Sequence, residues 1–360
     1  MTISNISVPE YRVRLFLSVD LTGSTAFKHK QNNPLKWLKV FQKFYGSFPK
    51  ILLKQYEKIG QKCNLSDEER QNGFPRLWKT VGDEILFCCK VQSIHHVSVC
   101  IEAFICSLEE FGREIENDNL NTKGNAWVAS FPTPNSSIRP VARHDSRADS
   151  LSGKYELVSE EIEQQADEDP SKFDFLGKGI DSGFRISKNS SINTLTISPG
   201  LAILLLDACR NQGTTFFERE IRLAEMQSFK GVANNDPYPV VVIDVFRTPT
   251  HKELFNIQND LLRVNQGQEP KQLQEFLRKF LQFYEIEIPE VRLYATAHYN
   301  VPEFYNKYAE EWEKEKQEID QKRINEEQSS KDLNDEGLEE GIISDVEDRG
   351  LNLAEELVSN

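Results

Sequence analysis

Residues 15 to 28 read LFLSVDLTGSTAFK. Val13, Leu15, Leu17 and Val19 alternate with Arg14, Phe16 and Ser18, the two-residue period of a strand with one buried face. Asp20 closes the strand, and Thr22, Gly23, Ser24 and Thr25 run straight into a helix. Backbone N–H groups at such a helix start have no partner within the helix and, with the helix dipole, attract an anion such as phosphate. A carboxylate beside a phosphate cradle suits a divalent cation bridging the two. An acid or threonine ahead of a helix is also the ordinary N-cap, so both readings stand at this point.

Outward from there, RLWKTVGDEILFCCKV at 76–91 holds two apolar segments meeting at Gly82-Asp83, which predicts a hairpin with a two-residue turn. If the hairpin neighbours the first strand, Asp20 and Asp83 can share two oxygen-ligated cations. Such a pair holds a triphosphate and helps ionise an attacking hydroxyl. Gly-Asp is also what a tight turn selects for its own sake.

Pro34 to Gly60 reads as helix, with Leu35, Trp37, Leu38, Phe41, Phe44 and Tyr45 on one face and a predicted break into two pieces at Pro49. Asn64 to Gly73 reads as a loop, Ser93 to Phe111 as a buried helix and Ala126 to Phe131 as a strand. Thr133 to Asp169 is polar and irregular, with some helix around Glu156 to Gln165. The stretch FDFLGKGIDSGFRISKNS begins at Phe173. A strand at Leu195 to Ile197, a helix at Ser198 to Arg210, and strands at Phe216 to Leu223 and Val240 to Phe246 follow. The order predicts an α+β sandwich with helices on one side of a mainly antiparallel sheet.

Past Thr248 the pattern changes to a helical region, Leu254 to Phe283, and an aromatic-rich stretch, Tyr294 to Tyr308, expected to pack back on the domain. Glu310 to Asn325 is a charged helix, and Glu326 to Asn360 has the composition of disorder. The expected division is a folded α+β domain at 1–248, which the motifs below imply to be catalytic, a helical extension at 249–308 and a charged tail at 309–360.

The net charge of −14 is concentrated in that tail: Ala309 to Asn360 holds 18 acids and 6 bases, leaving −2 for the remainder. A nearly neutral body offers no basic footprint for nucleic acid and no barrier to a small anionic substrate. No apolar run approaches a membrane span, and the N-terminus lacks the pattern of a signal peptide. Six cysteines occur without C-x-x-C or metal spacing, so a reduced, cytoplasmic protein is expected. The neighbours His95 and His96 point apart on a helix and are not expected to bind one metal. His144-Asp145 sits in an Arg-rich loop with no nucleophile placed by any motif, and Cys88-Cys89 reads as packing.

Three motifs resemble those of the class III nucleotidyl cyclases, in order and at fitting separations. They are Asp20 with its Gly-Ser-Thr turn, Lys79-Thr80-Val81-Gly82-Asp83, and Asp174-x-x-Gly177-x-x-x-Asp181-x-x-x-Arg185. The wording FLSVDLTGSTAFK, WKTVGDE, KGNAWVASFP and F-Y-x-x-F-P at Phe44 to Pro49 looks most like the pyrimidine cyclases of bacterial Pycsar anti-phage systems. The resemblance spans residues 10–250. It implies a ferredoxin-like βαββαβ core, a head-to-tail homodimer with shared active sites, and two divalent cations, Mn²⁺ or Mg²⁺. It also implies cyclisation of a nucleoside triphosphate with release of pyrophosphate, the product being a second messenger read by a separate effector.

Carried over by position, the resemblance makes Asp20 and Asp83 the metal ligands and Leu21, Thr22, Gly23, Ser24 and Thr25 the phosphate cradle. Arg185 matches the arginine that stabilises the α-phosphoryl charge; by itself it reads as a surface helix arginine. Asp181 stands where the family often has an asparagine that orients the ribose, and an ion pair with Arg185 is the alternative. Lys79 and Asp174 match the base-reading pair. Tyr45 matches a tyrosine of the pyrimidine cyclases that covers the space a smaller base leaves, or else packs beside Phe41 and Phe44.

The expected activity is therefore uridylate or cytidylate cyclase, with UTP favoured through the subgroup resemblance alone. A Lys–Asp pair also reads adenine in adenylate cyclases, so adenylate or guanylate cyclase is the first rival. The second is a catalytically silent cyclase-like module that binds partners.

Overall fold

The sheet is assembled on β1 (Arg12–Thr22), which pairs antiparallel with β3 (Glu84–Lys90) on one side and β4 (Asn121–Phe131) on the other. In this computed structural model the described residues are 6–30, 34–140, 157–210, 217–262, 269–294, 297, 301–325 and 328. β2 (Arg76–Val81) folds back on β3 across Gly82-Asp83, as the apolar segments predict. Gly82 takes φ 62° there, a sign glycine adopts without strain. The short α1 (Ser24–Lys30) and long α2 (Pro34–Lys62) link β1 to the hairpin, and α4 (Ile94–Ile115) links β3 to β4. Strand order β4-β1-β3-β2 with two crossover helices is the βαββαβ arrangement expected.

The sheet continues beyond β4. β7 (Thr194–Ile197) joins it in parallel through Asn125–Thr196 and Ala126–Ile197, and β9 (Pro237–Asp244) and β8 (Ile221–Ser228) follow antiparallel. These late strands sit somewhat apart from the predicted bounds, and β4 starts at Asn121 rather than Ala126. A second, two-stranded sheet pairs β5 (Asn135–Ile138) with β6 (Asp174–Gly177); β5 lies in the polar stretch whose composition predicts irregular chain.

The expectation of helices on one side of the sheet is corrected, because both faces are buried. On one face Leu15, Leu17, Val19 and Phe87 pack with Phe44 and Phe48 of α2, Phe104 of α4 and Leu201 of α7 (Pro199–Arg210). On the other, Phe16, Trp78, Leu86 and Trp127 pack with Phe175 of β6 and Ile180 of α6 (Lys178–Ile186). What disguised this second face is Arg14, which alternation reads as solvent-facing. It is fully buried: its guanidinium donates to Asp167 of α5 (Glu160–Glu168) at 2.7 Å and to the Ser137 hydroxyl at 2.9 Å, and pairs with Glu163 at 2.7 Å. A buried arginine so fully bonded offsets its desolvation.

Two local expectations also change. α2 runs through Pro49 as one helix; Phe41, Phe44, Phe48, Leu52 and Tyr56 bury one continuous face, and that packing outweighs a single missing backbone bond. Asn64 to Gly73 contains α3 (Asp67–Asn72), opened by a capping box in which Ser66 and Glu69 bond each other's backbone N–H. The spacing of Ser66 and Glu69 was the overlooked signal.

Beyond β9 lie α8 (Pro249–Leu262) and α9 (Pro270–Phe283), the latter burying Leu273, Leu277 and Leu281. Phe304 and Tyr305 meet the Tyr11 ring edge-on, each with centroids at 5.9 Å. Residues 303–325 are helical, and apart from 328 the acidic stretch from Glu326 onward lies outside the described residues, as does His144-Asp145. By density of contacts Pro9–Asn306 forms one unit, while 6–8 and 307 onward belong to another. Among the described residues no helix is long and apolar enough to cross a membrane.

Candidate active site

Register determines which side chains share a row. Asp20 lies directly opposite Glu84 on β3 and directly opposite Lys123 on β4, so an acid, an acid and a base stand side by side across three strands. Ser18, one step along the same face of β1, donates to the Glu84 carboxylate. Lys123 pairs with Asp20 at 3.1 Å, both side chains about one-third exposed.

Asp83 reaches the group from the hairpin tip. Its carboxylate accepts from the Ser24 hydroxyl at the start of α1, and its carbonyl accepts from the Leu21 N–H at 3.3 Å. The Tyr45 hydroxyl donates to the neighbouring Gly82 carbonyl, so the tip is held from α1, β1 and α2 at once. Burial pushes the Asp20 carboxyl above its ordinary range against the pull of Lys123, with Asp83 adding to the rise. Burial likewise raises Glu84, against the bond from Ser18, and the Asp20 and Asp83 charges raise it further. The Tyr45 hydroxyl is raised by burial first and by Asp83 second. These shifts report a concentration of negative charge that has lost part of its water.

The donor set consists of hard carboxylate oxygens from Asp20 and Asp83 with Glu84 beside them, which suits Mg²⁺ or Mn²⁺ rather than a soft-ligand metal. The predicted cradle is more limited than the sequence implied. α1 is only 7 residues long, and the Leu21 N–H is already spent on Asp83. Gly23, at φ 89°, turns the chain into the helix.

Lys79 and Asp174 form a ready-made pair at 2.7 Å. The Lys79 ammonium lies 4.0 Å from the centre of the Trp78 ring and 6.0 Å from that of Phe184, aromatic faces that favour a cation. On α6, Asp181 is exposed and Arg185 partly so. The alternative of an ion pair between them is not what forms, since neither side chain has an ionic partner among the described residues.

Within one chain the predicted residues therefore fall into three groups: the acids with Ser24 and Tyr45, the Lys79–Asp174 pair, and the α6 face. Neither of two cavities, of about 490 and 230 Å³, is lined by any of them. The charge-bearing cluster lies outside both hollows, where strand ends and hairpin tip bring three carboxylates together. Glu84 and Lys123 belong to it and were missed. Both lie inside quoted motifs, but only cross-strand register reveals them as Asp20's neighbours.

The expectation that the cysteines have no metal arrangement meets one exception in proximity: Sγ of Cys89 and Cys100 and a ring nitrogen of His96 lie within 4.8 Å of one another, fully buried. Both His96 nitrogens are engaged, Nε2 with the Gly73 carbonyl at 2.8 Å and Nδ1 with the Gln92 N–H at 3.4 Å. The cluster is a satisfied piece of core, and all six cysteines are free.

No protein-family model matches the chain, and no curated protein matches it. Among solved structures it is similar to the adenylyl cyclase CyaB from P. aeruginosa, at 12% identity and TM-score 0.40 over 66% of this chain and 95% of that one. It is also similar to the guanylate cyclase domain of RhGC from Catenaria anguillulae in complex with GTP, at 10% identity and TM-score 0.39 over 65% and 97%. A bacterial light-regulated adenylyl cyclase is matched at 11% identity and TM-score 0.35 over 76% of this chain and 100% of that one. The α+β assignment itself rests on the strand order described above.

Proposed function

We propose that this chain is a nucleotidyl cyclase that converts a pyrimidine nucleoside triphosphate, UTP ahead of CTP, to its 3′,5′-cyclic monophosphate and pyrophosphate. The observation that carries the reading is the convergence of Asp20 and Asp83, 63 positions apart in sequence, on one patch with the Ser24 hydroxyl between α1 and the hairpin tip. Two divalent cations held by Asp20 and Asp83 would supply charge neutralisation at the triphosphate and ionisation of the ribose 3′-hydroxyl. The rest is done by protein groups. The amides from Thr22 to Thr25 bind phosphate oxygens, and the Lys79–Asp174 pair reads the base edge. The Arg185 fork meets charge building on the α-phosphoryl group as the ring closes, and Asp181 accepts from a ribose hydroxyl.

A single chain leaves Arg185 apart from the acids. A homodimer related by a two-fold axis would bring the arginine and base-reading pair of one protomer to the acids of the other, giving two equivalent sites. The Tyr45 ring, tethered beside Asp83, would then lie where a small base leaves space. Through the same resemblance the product serves as a second messenger in anti-phage defence, read by a separate effector. The Lys79–Asp174 bond is the feature that favours the adenylate reading instead.

Incubating the full chain with each of ATP, GTP, CTP and UTP and Mn²⁺, then separating products and measuring pyrophosphate, decides among these. Cyclic UMP or cyclic CMP is expected. Cyclic AMP as the main product would move the assignment to adenylate cyclase, and nucleotide binding without pyrophosphate release would make the chain a silent module.

A further inference from the structure

The row across β3, β1 and β4 places Lys123 at the same Asp20 carboxylate that the cyclase reading gives to a metal. The Nζ–Oδ2 separation of 3.1 Å is that of a formed ion pair. The pairing is imposed by the backbone, because Asp20 and Lys123 are directly opposed in the β1–β4 register and so meet on one face of the sheet. Two acids stand beside the pair: Glu84 opposite Asp20 on β3 and Asp83 at the hairpin tip, whose carbonyl accepts from the Leu21 N–H. Lys123 thus sets an ammonium among three carboxylates. An ammonium and a divalent cation held by the same carboxylate repel one another, and at a partly exposed site a few ångströms suffice to change affinity by about an order of magnitude.

We propose that Lys123 is a built-in counter-ion of the acid cluster that competes with divalent cation for Asp20 and so sets the metal affinity of the nucleotide-free protein. Lys123 is a positioning residue, acting through Asp20. With the cation seated, its ammonium is freed from Asp20. The proposal rests on the assignment of Asp20 as a metal ligand.

The test is Mn²⁺ titrated into the full-length chain without nucleotide, free Mn²⁺ being read by electron paramagnetic resonance. Lys123→Met should bind Mn²⁺ about tenfold more tightly than the parent, and Lys123→Arg should stay near it. Lys123→Gln should repeat the gain and carries the test if the methionine variant fails to fold. Adding Asp20→Asn to the neutral variant should abolish the gain. An affinity equal to or weaker than the parent's in both neutral variants overturns the proposal while leaving the metal reading intact. Mn²⁺ binding unaltered by Asp20→Asn alone overturns the metal reading, and this proposal with it.

Discussion

Gly183 lies flat on Trp127: a Cβ built on the glycine would come within 2.4 to 2.5 Å of indole ring atoms. The Asn125 side chain donates to the Gly183 carbonyl at 3.3 Å, and Phe184 packs against the same indole at 5.3 Å. The helix that carries Asp181 and Arg185 is therefore docked on β4 by the lack of a side chain. Gly183→Ala is expected to cost about 1–3 kcal/mol, since a fully buried indole cannot yield, and to lower turnover by displacing Arg185. Urea unfolding and steady-state rates measure the two effects. A stable variant with parental rates would show that α6 is not held this way.

The acids at the proposed metal site are expected to matter for chemistry and little for folding. Asp20→Ala and Asp83→Ala should each reduce cyclase turnover at least about a thousandfold, with unfolding free energy changed by under about 1 kcal/mol because the pairs are partly exposed. Pyrophosphate release and circular dichroism read the outcomes. Parental turnover in either variant removes the acid from the mechanism.

Tyr45 separates two roles by substitution. Tyr45→Phe removes the bond to Gly82 but keeps the ring, and should lower turnover about three- to tenfold by loosening the tip that carries Asp83, with base preference unchanged. Tyr45→Ala should also relax the discrimination between pyrimidine and purine triphosphates, measured as the ratio of kcat/KM values. Identical preference in the alanine variant would confine Tyr45 to packing.

Glu69 predicts a pH dependence of stability. Burial alone would push its carboxyl up, but bonds from the Ser93 hydroxyl at 2.6 Å, the Ser66 hydroxyl at 2.8 Å and the Ser66 N–H at 3.1 Å hold it below the ordinary 4.5. Below 4.5 the unfolded chain binds the proton more readily, so this stabilisation is complete above that value and is lost as pH falls through the lower folded one. Glu69→Gln should cost about 1–2 kcal/mol at pH 7, with the gap to the parent narrowing below pH 4. A penalty independent of pH would rule out the carboxylate's charge as the cause.

Much of the first half of the fold was legible, because alternating residues around Leu15 and the Gly82-Asp83 turn are local signals that tertiary packing did not overrule. The βαββαβ arrangement itself came from the resemblance of the three motifs to the class III cyclases, not from these local signals. What stayed hidden depends on non-local facts. Arg14 looks solvent-facing until α5 supplies Glu163 and Asp167, more than 145 residues later, and with Arg14 misread the whole second face of the sheet is lost. Lys123 and Glu84 were in plain view as residues, but nothing short of strand register shows that both flank Asp20. Pro49 misled in the opposite direction: its intrinsic preference was real and the buried face of α2 prevailed. The capping box at Ser66 was legible and overlooked.

Pro49 has no N–H to give the carbonyl four residues earlier, and that carbonyl belongs to Tyr45. The residue whose ring is fastened to the hairpin tip by its hydroxyl is thus also the point at which α2 lacks a rung of its backbone ladder. The turn that presents Asp83 is thus tied to α2 at the very residue whose main-chain carbonyl Pro49 leaves without its usual donor.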